Sequence, residues 1–311
     1  MEFNTLGRTG LRVSVAGLGC GGHSRLGISQ GKTPDEAVQI VREALDLGIN
    51  FIDTAETYRT EEIVGTALRE VPRSQVILST KAGVDWQDRL STASELRDRV
   101  DACLGRLGTD YVDVFHLHGV SVEEYDYATQ GLVPALLELK AAGKIRFVGI
   151  TEAFASDPAH KMLVRAVQDD CWDVMMVGFN ILNQSARERV LRVTREKDIG
   201  ILCMFAVRRA LSRSDALREL MMQLVDQGLV GDIDAEDALG FLVANGVGDS
   251  VQDAAYRFCR WEPGIDLVLS GTGNIEHLRA NAESLGRPPL PPSIVDRLKS
   301  MFERVDSITG N

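Results

Sequence analysis

The sequence has few cysteines, and their arrangement excludes two kinds of stabilised fold. Five occur in 311 residues, an odd number, and no Cys-x-x-Cys pair is present. Neither a disulfide framework nor a zinc site is therefore predicted, and we expect no metal. Reduced thiols in a cytoplasmic protein are the simplest interpretation. The five are Cys20, Cys103, Cys171, Cys203 and Cys259.

Long apolar runs and excess positive charge are also missing. No apolar run approaches the ~20 residues of a membrane-spanning helix, and the N-terminus has no basic-then-apolar signal region. The net charge is −11. Nucleic acids and anionic membranes are held mainly through Lys and Arg, so we expect neither as the main partner. The apolar fraction of 44% is that of an ordinary globular protein.

Short apolar runs alternate with longer amphipathic segments along the chain. Eight runs have strand length: Val13–Leu18, Ile49–Ile52, Val76–Leu78, Val112–Leu117, Ile145–Ile150, Val174–Val177, Ile199–Met204 and Ile265–Leu269. Seven segments have helical spacing: Pro34–Leu47, Ser94–Leu107, Leu132–Ala142, Pro158–Val167, Ser185–Lys197, Ser250–Trp261 and Asn274–Leu285. Strand then helix, repeated about eight times, predicts an α/β fold, a closed (β/α)8 TIM barrel. No linker divides the chain, so residues 1–311 are predicted to form a single domain.

Three additions to the barrel are predicted. A strand pair forms at the N-terminus. The connection after strand seven, from Val207 to Asp249, is long and contains a helical stretch, Asp215–Asp226. A C-terminal helix follows within Pro291–Val305.

Ionisable side chains follow the second, third and fourth apolar runs. They are Asp53, Tyr58, Lys81 and His118. A tyrosine ionises near pH ~10, and a neighbouring ammonium stabilises its phenolate. Lys81 could supply that charge, with Asp53 holding it in place. His118 could donate a hydrogen bond to a substrate oxygen or help to relay its proton.

Such a phenol suits proton transfer to a carbonyl oxygen as hydride reaches carbon. Side chains do not donate hydride, so the chemistry needs a nicotinamide or a flavin. Each residue also has a structural interpretation, as a helix cap, a core aromatic residue or a surface lysine. The four together at neighbouring strand ends favour a catalytic site.

Three of these segments resemble the aldo-keto reductases, within them the aldose and sugar dehydrogenase branch. They are residues 50–58, 79–81 and 113–118; further similarity lies in residues 6–11, 143–150 and 271–278. The resemblance implies a (β/α)8 barrel and NADP(H) or NAD(H) as cofactor. It assigns the family's catalytic Asp, Tyr, Lys and His to Asp53, Tyr58, Lys81 and His118, rather than to the nearby His116.

The chain departs from this family where the nicotinamide binds. A Ser-Asn pair and a Gln that bind the carboxamide correspond to Thr151, Glu152 and Met176. An ionised Glu152 can accept but not donate, and Met176 does neither well. The stacking aromatic residue corresponds to Phe205, or to Ala206 in another register. The Ser-Pro that follows it is replaced by residues 207–209, Val-Arg-Arg.

The expected adenosine-phosphate site lies near the C-terminus. Its predicted cofactor contacts are Gly271, Thr272, Asn274, His277 and Asn281. His277 stands where an Arg is frequent and follows Glu276, which disfavours strict NADP specificity because a 2′-phosphate prefers Arg or Lys. Arg279 or Arg208 could compensate. Thr272 and Asn274 could equally cap a helix, and both roles can coexist.

The sequence predicts only the class of the substrate: an aldehyde, a ketone, an aldose, or the corresponding alcohol. We expect His23, Trp86 and Arg208 to line its site, and the further candidates are Arg25, Tyr125, Tyr127 and Arg209. The predicted function is hydride transfer between a nicotinamide and this substrate, by a monomer or small homo-oligomer.

Two competing interpretations remain. Residues 17–22 match the G-x-G-x-x-G fingerprint of a Rossmann fold, but no helix follows directly. In a barrel these glycines would let the first loop pass close to substrate or cofactor. The same barrel could also serve as a nucleotide-sensing regulatory subunit with little catalysis.

Overall fold

Eight parallel strands close into a barrel in the computed structural model, which describes residues 1–231 and 233–311. In chain order they are β3 (Ala16–Gly19), β4 (Phe51–Asp53), β5 (Ile77–Gly83), β8 (Val112–Val120), β9 (Ile145–Glu152), β10 (Val174–Gly178), β11 (Gly200–Met204) and β12 (Leu267–Ser270). Each pairs with the next, and β12 pairs with β3 to close the ring. The predicted (β/α)8 barrel is confirmed, and the Rossmann alternative is wrong.

Strands β5, β8 and β9 extend further towards the barrel mouth than their apolar runs predicted. Lys81 and His118 therefore lie within strands rather than after them. The prediction ended each of these three strands at an apolar residue, before the polar residues that follow it. Inside a barrel, polar side chains on neighbouring strands pair with one another, so the ladder continues past them.

The predicted N-terminal strand pair is present and closes the opposite end of the barrel. Strands β1 (Phe3–Thr5) and β2 (Arg12–Ser14) are antiparallel. Leu6, Leu11 and Val13 are buried in one cluster with inward side chains of the barrel strands. The N-terminal strand pair and the turn between its strands pack tightly against the barrel, because a Cβ at Gly7 would lie 2.4 Å from the backbone nitrogen of Gly200. Access to the barrel interior is thus from the other end.

Helices surround the barrel. Their bounds are α1 (Pro34–Asp46), α2 (Glu61–Leu68), α3 (Ala93–Leu107), α4 (Tyr125–Tyr127), α5 (Val133–Ala141), α6 (Lys161–Ala166), α7 (Arg192–Glu196), α8 (Arg209–Ser212), α9 (Ser214–Asp226), α10 (Val251–Arg260), α11 (Ile275–Gly286) and α12 (Pro292–Phe302). Thr33 caps α1 in a reciprocal capping box with Glu36. Helix α6 is shorter than predicted because His160, at its N-cap, has a left-handed backbone (φ 61°).

Helix α2 was not predicted from the sequence. Its eight residues include Gly65, which weakens the helical signal. The glycine is needed for packing: a Cβ there would lie 2.6 Å from the Leu107 carbonyl oxygen at the end of α3. Close approach of two helices, invisible in local sequence, explains the glycine.

The other additions lie around the mouth of the barrel. A short hairpin, β6 (Asp85–Trp86) with β7 (Arg89–Leu90), follows β5. The long connection after β11 contains α8 and α9, and α12 is the predicted C-terminal helix. Within the described ranges, none of the helices is long and apolar enough to cross a membrane.

Candidate active site

The four predicted catalytic residues come from three adjacent barrel strands. Asp53 ends β4, and Tyr58 lies in the short 3₁₀ turn that follows it. Lys81 belongs to β5 and His118 to β8. The carboxyl ends of parallel strands meet at one end of a barrel, so the four side chains converge at the mouth.

Lys81 and Asp53 form a buried ion pair. Lys81 Nζ donates to Asp53 Oδ2 at 2.6 Å and to the carbonyl oxygen of Thr54 at 2.7 Å. The Ser79 hydroxyl donates to the other Asp53 oxygen at 2.8 Å. Both side chains are almost fully excluded from solvent. Every charge in the pair is thus matched by hydrogen bonds, as a buried ion pair requires.

Burial and the partner's charge act on the pKa values of this pair. Burial lowers the pKa of Lys81, but the charges of Asp53 and Tyr58 and the hydrogen bond to Asp53 together outweigh it and the net shift is upward, so the ammonium persists at neutral pH. Burial raises the pKa of Asp53, against the opposing charge of Lys81 and the bond from Ser79. The ion pair fixes a permanent cation beneath the phenol of Tyr58.

Tyr58 lies between that cation and His118. The Lys81 ammonium is 4.9 Å from the centroid of the Tyr58 ring. The Tyr58 hydroxyl and His118 Nε2 share a hydrogen bond of 3.3 Å, and the two rings meet edge to face. Burial raises the pKa of Tyr58, while the charge of Lys81 opposes that rise. The sequence predicted only the lowering influence of Lys81 and not the larger effect of burial.

His118 is held neutral. Burial, followed by the charge of Lys81, lowers the pKa of His118 to about 3. A neutral imidazole carries one ring N–H and one acceptor nitrogen. His118 therefore offers a hydrogen bond rather than a positive charge to any ligand at the mouth.

His116 lies deeper in the barrel wall than His118. It pairs in register with Lys81 on β5 and Gly149 on β9, and it is fully buried. A Cβ at Gly149 would lie 2.2 Å from its Nδ1. The imidazole thus fills space above a glycine, while His118 makes the contact with Tyr58.

Gly21, in the first loop, packs directly against Tyr58. A Cβ built on Gly21 would lie 2.3 Å from Cε2 of the Tyr58 ring. Within the stretch that resembles a dinucleotide fingerprint, Gly21 therefore lets the first loop pack against Tyr58. The sequence predicted a close approach to substrate or cofactor, which stays a prediction, and the structure adds a close approach to a protein side chain.

We expect Gly21→Ala to displace the Tyr58 ring and to lower kcat by about a hundredfold, the usual effect of a ~1 Å misplacement. Steady-state kinetics and thermal melting would measure it. The matched control is Gly22→Ala, since nothing lies within 4 Å of a Cβ at Gly22. Its positive φ costs stability, but Tyr58 is untouched. Equal activity losses in the two variants would contradict the proposed packing role.

Glu56 and Arg99 support the Tyr58 turn and were missed by the sequence analysis. Arg99 of α3 donates from Nε to Glu56 Oε2 at 3.1 Å, and both side chains are nearly buried. Its Nη1 donates to the Gly83 carbonyl oxygen at 3.0 Å, and its guanidinium lies 4.7 Å from the Trp86 ring centroid. Arg99 therefore connects the turn that carries Tyr58 with the hairpin after β5.

Only one of the three side chains expected at the nicotinamide carboxamide is a possible donor. Thr151 Oγ1 accepts from the Gly119 amide at 2.7 Å. Met176 is buried among inward apolar side chains of the barrel. The Glu152 carboxylate is occupied, because it accepts from the Gly178 amide at 2.7 Å and from His160 Nδ1 at 2.9 Å. Burial raises the pKa of Glu152, and His160 opposes that rise.

An aromatic stack connects this region with the loop after β11. The rings of His160 and Phe154 stack with centroids 5.4 Å apart, and those of Phe154 and Phe205 at 5.9 Å. Phe205 has a positive φ of 66°, a strained conformation often found at functional sites. The Arg208 guanidinium lies over the Phe205 ring at 4.1 Å. His160 and Phe154 were not predicted from the sequence.

The predicted adenosine-phosphate residues lie at the start of α11. Asn274 caps the helix by accepting from the amides of Glu276 at 2.8 Å and His277 at 3.1 Å. Thr272 Oγ1 accepts from the Asn274 amide at 3.1 Å. The helix-cap interpretation is confirmed. The side chain of His277 is exposed.

The remaining residues of this group are close to the barrel rim. The Asn281 amide donates to the Ser270 hydroxyl at 2.8 Å. A Cβ at Gly271 would lie 2.9 Å from the carbonyl oxygen of Gly19, so the ends of β12 and β3 are in close contact. The side chain of Arg279 is already paired with two carboxylates, since it donates to Glu43 at 2.7 Å and to Glu276 at 3.1 Å.

Of the residues expected to line the substrate site, some are exposed in the structure and others are engaged in contacts within the protein. His23 is exposed in the first loop, and Trp86 lies on the hairpin with 39% of its surface exposed. Tyr125 is buried; its hydroxyl donates to Asp169 and accepts from Trp172 Nε1 at 3.1 Å. The Tyr127 hydroxyl donates to the Ser91 carbonyl oxygen at 2.7 Å. Both tyrosine hydroxyls are thus engaged in protein contacts.

Across residues 1–231 and 233–311, no group of three or more His, Cys, Asp or Glu side chains is arranged to hold a metal ion. The ionisable groups at the mouth are instead engaged with one another and with backbone atoms.

Comparisons with known proteins agree with this geometry. The profile of the Aldo/keto reductase family matches residues 18–303. L-galactose dehydrogenase from Arabidopsis thaliana is 41% identical over 157 residues, which is 49% of this chain and 48% of that protein. The match therefore spans about half the length of that relative. The NADH-specific methylglyoxal reductase of Escherichia coli (strain K12) is 32% identical over 222 residues, covering 65% of this chain and 66% of that protein.

A solved structure shares the whole architecture. The holo form of aldo-keto reductase AKR11C1 from Bacillus halodurans superposes with a TM-score of 0.74 at 25% identity, covering 97% of this chain and 96% of that one. A closed barrel of eight parallel strands, four ionisable side chains converging at its mouth and a family match over nearly the whole sequence lead to one assignment. The chain belongs to the aldo/keto reductase family.

Proposed function

We propose that the protein is an oxidoreductase that transfers hydride between NAD(H) or NADP(H) and a small carbonyl compound or alcohol, with Tyr58 as the general acid and base. The observation that carries this proposal is the contact of Tyr58 with both the Lys81 cation and His118. The bound nicotinamide supplies or accepts the hydride, and the protein handles the proton.

Protonated Tyr58 is the resting form at neutral pH, because burial raises its pKa. In the reducing direction the phenol donates its proton to the carbonyl oxygen. Lys81 then stabilises the phenolate, and the Asp53 carboxylate holds Lys81 in place. In the oxidising direction the phenolate takes the alcohol proton. Neutral His118 positions the oxygen through its ring N–H.

Several residues fit a dinucleotide. Phe205 offers a ring at the mouth, and Thr151 is a hydroxyl at the end of β9. Gly271 and Thr272 lie just before the N-terminus of α11, and helix N-termini suit phosphate. Glu152 and Met176 fit less well, since the first is occupied and the second is apolar. We propose that Asn274, His277 and Asn281 border the adenosine end.

NADH is proposed as the preferred cofactor. His277 stands where an Arg would serve a 2′-phosphate, and Arg279 is neutralised by Glu43 and Glu276. The NADH-specific relative from Escherichia coli is consistent with this assignment. We therefore expect NADH to bind at least as tightly as NADPH.

Titration of the protein with NADH and NADPH, followed by a panel of aldehydes and sugar alcohols assayed in both directions, tests the proposal. We expect saturable binding and turnover of several aldehydes. A protein that binds neither cofactor and turns over no substrate would contradict it. Tight binding without turnover across the panel would instead favour a nucleotide-sensing regulatory subunit.

A further inference from the structure

Arg208 carries a charge that nothing in the described part of the chain neutralises. Its guanidinium contacts the Phe205 ring, with Cζ 4.1 Å from the centroid. Its Nη1 is buried without a hydrogen-bond partner. Buried guanidinium nitrogens normally have an acceptor, because leaving a donor unpaired is costly. An unpaired nitrogen at the mouth of a barrel indicates that a partner is still to be bound.

The other buried side-chain atoms without partners, within residues 1–231 and 233–311, have a different character. Three are ring nitrogens of His116 and His160, enclosed by the barrel wall and the aromatic stack. The fourth is Nε of Arg260, whose Nη2 reaches Glu2 at 3.3 Å. Arg208 alone among them combines a permanent charge with no carboxylate partner.

The backbone next to Arg208 is held by hydrogen bonds. The Leu211 amide donates to the Arg208 carbonyl oxygen at 3.0 Å, and the Ala210 amide donates to that of Gly310 at 3.0 Å. Burial lowers the pKa of Arg208, with no acidic neighbour opposing it. The rigid loop and the Phe205 ring thus hold a guanidinium ready for a ligand.

We propose that Arg208 binds an oxyanion at the mouth of the barrel. The ligand group is a phosphate or carboxylate, the oxygen pairs that match the guanidinium fork. It belongs either to the diphosphate of the dinucleotide or to an acidic group on the substrate. This inference rests on the proposed function for its ligand but not for the anion site itself. In a chain of net charge −11, the site is a local exception.

The test uses Arg208→Met with Arg209→Met as the matched control, because Arg209 is the next residue, has the same charge and is exposed. Calorimetry would measure the Kd of inorganic pyrophosphate, ADP-ribose and NADH for each variant. Kinetics would compare butanal with succinic semialdehyde, which differ by one carboxylate. Arg208→Lys, which keeps the charge without the fork, and thermal melting guard against misfolding.

Two different results would support the proposed anion site, and they distinguish whether the oxyanion belongs to the cofactor or to the substrate. If it belongs to the cofactor, Arg208→Met weakens ADP-ribose and NADH binding by about tenfold or more, and the preference between aldehydes is unchanged. If it belongs to the substrate, NADH binding is unchanged, and kcat/KM for succinic semialdehyde falls about tenfold relative to butanal. Arg209→Met should stay within about twofold of the unsubstituted protein throughout.

The inference is overturned if Arg208→Met leaves all three affinities and the aldehyde preference within about twofold of the unsubstituted protein. Arg208 would then only cover the Phe205 ring. If the unsubstituted protein neither binds NADH nor reduces either aldehyde, the proposed function fails. The pyrophosphate titration still decides the anion site in that case: loss of pyrophosphate binding in Arg208→Met supports it, and no loss overturns it.

Discussion

Lys81→Met is expected to cause the largest combined loss of stability and activity in the chain. The substitution leaves the buried Asp53 carboxylate without its cation. Breaking a buried pair on one side typically costs about 3–5 kcal/mol, because an uncompensated charge remains. Chemical denaturation would measure the free energy of unfolding. The variant should be relatively more stable at low pH, where Asp53 takes up a proton, and lose stability as the pH rises.

The activity of Lys81→Met should fall by orders of magnitude, and its pH dependence should move in a defined direction. The Lys81 charge lowers the pKa of Tyr58 against the larger effect of burial. Without it, the pKa of Tyr58 rises further. Oxidation needs the phenolate, so its rate should become appreciable only at higher pH. Near-normal activity with an unshifted profile would contradict the mechanism.

Two control variants distinguish the effect of breaking the buried ion pair from the effect of removing any lysine charge. Lys144→Met removes an exposed partner of Asp101 and should cost at most about 1 kcal/mol. Adding Asp53→Asn to Lys81→Met should recover part of the lost stability, since the unpaired carboxylate is removed. The double variant should remain inactive, because the cation beneath Tyr58 is still missing. Recovery of activity would show that Lys81 acts only on stability.

Tyr58→Phe should lower kcat by about 10²–10⁴-fold, the usual contribution of general acid–base catalysis. The ring remains, so its edge-to-face contact with His118 and its packing on Gly21 are retained. Only the proton donor is lost. His118 cannot take its place as a cationic acid, because its pKa of about 3 keeps it neutral.

Cofactor binding should separate this effect from misfolding. The Kd of NADH in Tyr58→Phe should lie within about twofold of that of the unsubstituted protein, and its melting temperature should be similar. Tyr111→Phe is the matched control, since Tyr111 immediately precedes β8 at the end of the barrel opposite the site. It should retain activity. Equal losses in the two variants would contradict the role of Tyr58.

The sequence was sufficient to predict the barrel and to predict that the four ionisable residues lie close together. Apolar runs of strand length marked all eight strands, and the ionisable residues marked the end of the barrel where they converge. The pKa of Tyr58 could not be predicted, because burial depends on how tightly the first loop packs against the ring. The extent of the single domain, residues 1–311, stays a prediction.

Contacts between distant segments were beyond local patterns. Glu56 and Arg99 lie 43 residues apart, and no motif in the sequence around either residue predicts that they pair. Glu152 was predicted as a departure from the family, but its partner His160 belongs to another element and could not be foreseen. Helix α2 was missed because its glycine serves packing against α3 rather than helix formation.

The pairing of β12 with β3 has a consequence for how the protein folds. Val268 lies in register with Ala16, so the ring closes only when strands from near the two ends of the sequence meet. Such a contact costs the most loop-closure entropy of any in the barrel and should form late. Until then β3 and β12 are unpaired edges, which attract other chains. Slow refolding with concentration-dependent aggregation is the expected signature.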